Sequence, residues 1–380
     1  MGGVAAEMKP IWPILSGICA TMTGIGLSRF AYAPLLPAIV QTGQLTGGQA
    51  GALGAINFGG YLIGAFTAAR VGRALGLRTA LRASMILVVL CFLLCSVPGG
   101  LLWLTPWRAL TGYAAGVLMV LAGPAVQSVV PASMRGLASG LIFAGVGSGI
   151  VVGAILVPLM LPEGVPAVWL ALAALAAALT LFSWQLWPNV EAPPAARMPK
   201  LRGPAGSLVL SYAFAAMAQT VHMVWWPDFI ARGLGRGTET ASLFWMLFGL
   251  SAASGPALYG RLADRIGASR TLQVVMAAQA AALAAPLLST ATPALAFSAI
   301  AAGSAAIGST AVTLIRAREL GGGDATGLWR MSTSAFGLTQ TMTGFLLAWL
   351  YTQFGNSGGY EALFMFGLTA ALGALLSARS

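Results

Sequence analysis

Two arginines, one histidine and a few amides and rings carry what chemistry this chain offers, because they interrupt long apolar runs. Arg29 and Arg108 each lie inside such a run. A charged side chain at the centre of a bilayer costs about 3 kcal/mol even on the mildest scale, so it faces a cavity or a partner. A guanidinium there presents a planar fork of donors that fits a carboxylate or similar anion. Tyr32 follows Arg29 by three residues, a spacing that predicts one shared helix face. His222 is the chain's single histidine and the interior group whose ordinary titration lies nearest neutrality, which makes it the candidate for proton coupling. Gln219 precedes it by three residues and Trp226 follows it by four, while Asn57, Tyr61 and Gln340 are further polar points in other apolar runs. The candidate substrate-binding set is therefore Arg29, Tyr32, Asn57, Tyr61, Arg108, Gln219, His222, Trp226 and Gln340.

Each of these has a plainer reading. Arg108 more often braces helix 4 to helix 1 through backbone carbonyls than it touches substrate, and His222 reads as well as a satisfied core histidine. Trp225 and Trp226 fit an interfacial aromatic belt. The acids sharpen the choice of substrate. All nine (Glu7, Glu163, Glu191, Asp228, Glu239, Asp264, Glu319, Asp324 and Glu361) fall in tails, loops or helix ends, so no carboxylate is expected mid-membrane. A pump for cations needs such a charge; buried arginines without one favour a small organic anion or carboxylate-bearing metabolite.

The elements that position these residues follow from composition. Of 380 residues, 58% are hydrophobic and 8% charged, against about 25% charged in a soluble domain. Apolar runs fall at 11–40, 49–70, 80–98, 101–125, 134–160, 165–187, 206–230, 240–261, 271–289, 292–315, 327–353 and 360–377. Each is the length of a membrane helix and too long for a porin strand. The fold class is an all-α membrane protein of twelve transmembrane helices. Little chain remains for a soluble catalytic module, and no Ser-His-Asp set, carboxylate pair, P-loop or zinc spacing is visible, so neither an enzyme nor a cofactor or metal site is expected. Cys19, Cys91 and Cys95 lie in apolar runs and read as packing residues. Arg29 inside an overlong first run argues against a cleavable signal.

The net charge of +11 is not a nucleic-acid signature, because the basic residues are scattered between runs. Lys9, Arg70, Arg73, Arg78, Arg82, Arg135, Arg197, Lys200, Arg202, Arg261, Arg265, Arg270, Arg316, Arg318 and Arg379 fall on one side, and Arg232 and Arg236 on the other. By the positive-inside rule both termini are cytoplasmic. The Pro-rich stretch 188–205 reads as a cytoplasmic linker between an N-terminal six-helix bundle, 1–187, and a C-terminal one, 206–380. The bundles look like repeats: an offset of 191 pairs Gly64 with Gly255, Arg70 with Arg261, Gly76 with Gly267, Gly136 with Gly327 and Gly153 with Gly344. At an offset of 190, Arg29 and Tyr32 match Gln219 and His222, and Pro37 matches Pro227.

Gly260-Arg-Leu-Ala-Asp264-Arg265-Ile-Gly267 resembles the loop motif of the major facilitator superfamily, and Arg108-Ala-Leu-Thr-Gly112 resembles its second motif. Gly26-Leu-Ser-Arg29-Phe30-Ala-Tyr32-Ala-Pro34-Leu-Leu-Pro37, followed by Asn57-Phe-Gly-Gly60-Tyr61, is similar to the YbfB/YjiJ-like branch. The resemblance implies two pseudo-symmetric six-helix bundles, a central cavity walled by helices 1, 4, 7 and 11, and a multi-pass bacterial inner-membrane transporter. Two departures stand out. Arg73 replaces the acid expected at the position of Asp264, and the fifth run has Gly145, Gly147, Gly149 and Gly153 but no Gly-Pro antiporter pair.

The expected function is secondary transport by alternating access, linked to protons, by a monomer whose partners are a small-molecule substrate and the lipid bilayer. Export of neutral or amphipathic compounds is the alternative, and a non-transporting membrane sensor the reading from another class. Pseudo-symmetry further predicts a gate on the linker side, with Asp264 near Arg135 and Arg73 near Asp324 or Glu319 when that side closes.

Overall fold

The computed structural model describes residues 11–191, 203–321 and 325–379, and they are helical apart from short turns. The helices are α1 (Ile11–Gln41), α2 (Gly47–Leu75), α3 (Leu77–Cys95), α4 (Gly100–Gln127), α5 (Arg135–Met160) and α6 (Val165–Ser183). The second half holds α7 (Pro204–Gly233), α8 (Gly237–Ile266), α9 (Ala268–Leu288), α10 (Thr292–Gly321), α11 (325–354) and α12 (Gly358–Ser377). Gly355, at φ 64°, breaks the chain between the last two. Eleven of the twelve are long and apolar enough to cross a membrane; α11 is not among them, and it carries the ladder Ser332, Ser334, Thr339, Gln340, Thr341 and Thr343. Residues 192–202 of the expected linker lie outside the described residues, as does Asp324.

Close backbone packing builds each half. A Cβ on Gly60 or on Gly112 would stand 2.0 Å from the carbonyl oxygen of Ala109 or Asn57, so α2 and α4 touch only because these positions lack one. In the second half, Gly255 of α8 and Gly303 of α10 meet the Ser304 and Phe248 carbonyls in the same way. Gly64 and Gly255, like Gly112 and Gly303, are 191 residues apart, so the repeat seen in sequence is a repeated helix lock. Arg78 and Arg82 do more than mark topology: from α3 they donate to the carbonyls of Trp187 and Trp184 beyond the C-terminus of α6, where a cation complements the helix dipole. Leu90, Leu93, Leu170, Leu181, Leu288, Leu372 and Leu376 on α3, α6, α9 and α12 are exposed, as lipid-facing side chains are.

The two halves meet mainly along α2 with α11 and α5 with α8. The α2–α11 seam runs from Gly48 against Thr352, past Ala55 against Gly344, to Leu62 against Gly337. Toward the linker end, Phe66, Arg70 and Arg73 are exposed. The α5–α8 seam behaves alike. Gly147 meets Ala253 and Gly249 meets Ile150, whereas a Cβ on Gly136 or Gly140 would meet nothing within 4 Å. A groove of about 350 Å³ runs along the linker end of α8, lined by that helix alone through Ser254, Ala257, Leu258, Arg261, Leu262 and Arg265. The molecule is thus closed at the end opposite the linker and open at the linker end.

Candidate functional site

The site starts in α1, where Met22–Phe30 is a π-helix. Pro34 has no N–H for the Phe30 carbonyl four residues earlier, and the indole Nε1 of Trp245 on α8 donates to it instead, at 3.1 Å. The position matching Pro34 in α7 is Val224, and the matching stretch, residues 212–220, is regular α-helix; the π turn of α7, Phe229–Gly233, lies at its end instead. The wider π turn alters which neighbours successive side chains reach. Arg29 and Tyr32, expected on one face, consequently go to different surroundings. Tyr32 donates to the Ala50 carbonyl at 2.7 Å and stacks on Trp169 of α6.

Arg29 reaches across the molecule. Its Nη2 donates to Oε1 of Gln340 on α11, and its guanidinium lies 4.2 Å from the Phe58 ring and 5.2 Å from the Tyr61 ring on α2. Gln340 in turn donates to the sulfur of Met223 on α7. Arg29 Nε is buried and makes no hydrogen bond within the protein. Arg29 is a half-buried residue whose guanidinium stands between the halves and has no acid in contact among the described residues. Phe58 is eleven residues into α2, or about 16 Å from its closed end, which puts the group near mid-membrane.

Arg108 is fully buried inside the first half. Nη1 donates to the Ser28 carbonyl at 2.7 Å and the guanidinium lies 4.4 Å from the Tyr32 ring, so it braces α4 to the distorted part of α1. Asn57 ties α2 to α4 through the Arg108 carbonyl and Thr111. Gln219 bonds Ser309 of α10. His222 lies inside the second half, with Nε2 3.0 Å from Ser298 Oγ and its ring beside Trp226 and Phe364. Ser298 gives its one proton to the Ala282 carbonyl, so Nε2 of His222 must be the donor and Nδ1 is left without a partner. Of the nine expected positions, the structure brings Arg29, Tyr61 and Gln340 together. It disperses the other six into contacts within single halves, Tyr32 among α1, α2 and α6 of the first.

Two sequence expectations change. Trp225 and Trp226 are fully buried rather than belt residues; Trp225 packs on Tyr351 and on Gly51 of α2. Asp228, at the end of α7 nearest the start of α2, is fully buried and ion-paired with Arg232 at 2.6 Å, so this helix-end acid is enclosed by protein rather than solvated. Its i,i+4 spacing to Arg232 was the signal available in the sequence. Phe58 and Met223 also belong to the Arg29 surroundings; Phe58 sits inside the motif that begins at Asn57, while nothing marked Met223. At the linker end, Arg73, Arg135 and Asp264 are exposed and make no ion pair among the described residues, as fits an open end, and Glu319 pairs with Arg316 of its own helix.

The family described as "Uncharacterised MFS-type transporter YbfB" matches residues 21–378. The chain belongs to that family. It is a major facilitator secondary transporter, a multi-pass membrane protein and not an enzyme. No curated protein matches this transporter in sequence. Solved structures similar to it in fold include a bacterial homolog of the human lysosomal transporter Spinster, inward-facing and unoccupied, at 15% identity and TM-score 0.77 over 99% of this chain and 98% of that one. A nucleoside transporter, NupG, is 11% identical with TM-score 0.79 over 96% and 98% of the two chains. A D-xylose–proton symporter is 17% identical with TM-score 0.70 over 96% and 95%. At such identities the likeness is one of fold.

Proposed function

We propose that this transporter carries a small organic anion, with a carboxylate or like group bound at Arg29, and that transport is linked to protons. The observation that carries this reading is the Arg29 guanidinium: a cation between the halves, on a half-buried residue, bonded only to a neutral amide and with one buried N–H unused. A cation so placed lacks the compensating charge that buried ions ordinarily take, and an anion entering from the open end supplies it. Gln340 adds an amide from the opposite half, so a bound anion would touch both. Phe58 and Tyr61 provide aromatic surface for the substrate's apolar part. The same rings are what favours the second reading, a neutral or amphipathic cargo.

The distribution of basic residues supports a reading in which the linker end and both termini face the cytoplasm of a bacterial inner membrane, and on that reading the conformation described is inward-open. His222, with Nδ1 free, is one titratable group available for the proton link.

The test is binding to purified protein. A panel of mono- and dicarboxylates and matched neutral amides is screened by thermal stabilisation, wild type against Arg29→Gln. Anions should stabilise the wild type and not the variant. Stabilisation by the neutral amides alone, unchanged in Arg29→Gln, would favour the second reading.

A further inference from the structure

We propose that Asp228 is a proton-binding site, loaded from the compartment at the end of the molecule that is closed in this structure, and that its protonation releases the α2–α11 seam there. The inference rests on the transporter assignment and names a group for its proton link.

Asp228 has no exposed side-chain surface, and three donors hold its carboxylate. Arg232 Nε reaches Oδ1 and Arg232 Nη2 reaches Oδ2, both at 2.6 Å, and Tyr360 of α12 donates to Oδ2 at 2.7 Å. Arg232 Nη2 also donates to the Tyr351 hydroxyl of α11 at 3.2 Å. Tyr32 of α1 lies within electrostatic reach of the carboxylate. The pair stands directly behind the contact between halves. A Cβ added to Gly47, at the start of α2, would come within 3.2 Å of Arg232 Nη2 and 2.5 Å of the Tyr351 ring. Gly51, one turn on, packs on Trp225, whose ring stacks on Tyr351. The start of α2 thus covers Arg232 and Tyr351, which cover Asp228.

Parting of α2 from α11 uncovers this network to the solution at that end and to no other. A proton then adds to a carboxylate oxygen, converting the ion pair into a neutral acid and an uncompensated guanidinium. That cation gains from solvation, which only the open arrangement provides. Return of α2 requires loss of the proton or capture of a counter-ion. Protonation and opening are therefore linked, each favouring the other.

Spin labels on cysteines at Thr42 and Gln353, exposed residues on either side of this end, report the seam by pulsed electron–electron distance measurement. The background has Cys19, Cys91 and Cys95 replaced by Ala, and the protein is full-length in lipid nanodiscs without substrate. As pH falls from neutrality through the ordinary carboxylate range to about 4, the long-distance population should grow, its ratio to the short one changing by at most about tenfold per pH unit for a single proton. Asp228→Asn should abolish the dependence and Asp228→Glu should keep it. His222→Gln and Arg29→Gln should also keep it, which separates failure of this proposal from failure of the anion reading. If Asp228→Asn does not fold, Arg232→Gln removes the cation whose solvation drives opening, and the growth of the long-distance population at low pH must then be lost. A wild type insensitive to pH, or an Asp228→Asn variant that responds as the wild type does, overturns the proposal.

Discussion

Arg29 and Arg108 are the same residue type in equally apolar surroundings, and what separates them is where the guanidinium ends. Arg108 ends on a carbonyl and rings of its own half, whereas Arg29 ends on Gln340 of the other. A brace and a ligand group respond differently to the same change. Arg108→Gln leaves the Ser28 carbonyl without its charged donor and should lower stability by about 1–3 kcal/mol, read as a lower midpoint in thermal unfolding with anion binding retained in the folded fraction. The presence of both arginines was legible in the sequence from type and burial alone. That Arg108 braces helix 4 to helix 1 through a backbone carbonyl was legible as well; that Arg29 reaches Gln340 of the other half was not, because it depends on the π turn at Met22–Phe30, which changes the register of α1. Asp228 escaped for a different reason: at the last turn of an apolar run, an acid four residues before an arginine looks like a solvated helix end.

At the scale of elements, glycine placement decides which helices touch. The α2–α4 lock depends on Gly60 and Gly112, whose missing side chains let carbonyls approach where a Cβ would stand at 2.0 Å. Gly60→Val therefore forces backbone apart, beyond the roughly 1–3 kcal/mol of ordinary overpacking. The expected outcome is a loss of monodisperse protein on gel filtration in detergent, while Gly140→Val, in open space, leaves the profile unchanged. The twelve helices, their order and the paired glycines could be read in advance because apolar length and repeat spacing report directly on membrane crossing and close packing. The α1 interruption had a sequence cause in Pro34, yet its cross-molecule partner, Trp245, lies 211 residues further along and carries no local mark.

At the scale of the whole molecule, the account requires the end closed here to open. Gly48 and Thr352 are close enough that a Cβ on the first would sit 2.1 Å from the hydroxyl of the second, so cysteines at the two positions need little movement to bond. Oxidation of the Gly48→Cys, Thr352→Cys protein should stop flux and reduction should restore it; unimpeded flux in the cross-linked protein would show that this seam does not part. The central claim, that a lone cation between the halves binds the cargo, is tested most directly by uptake of labelled carboxylates into proteoliposomes. Using an anion that stabilises the purified wild type, initial rates at subsaturating concentration are compared between wild type and Arg29→Gln. Loss of a charge-assisted contact of about 1.5–3 kcal/mol predicts a fall of roughly 10- to 150-fold. Equal rates in the two proteins would contradict the account.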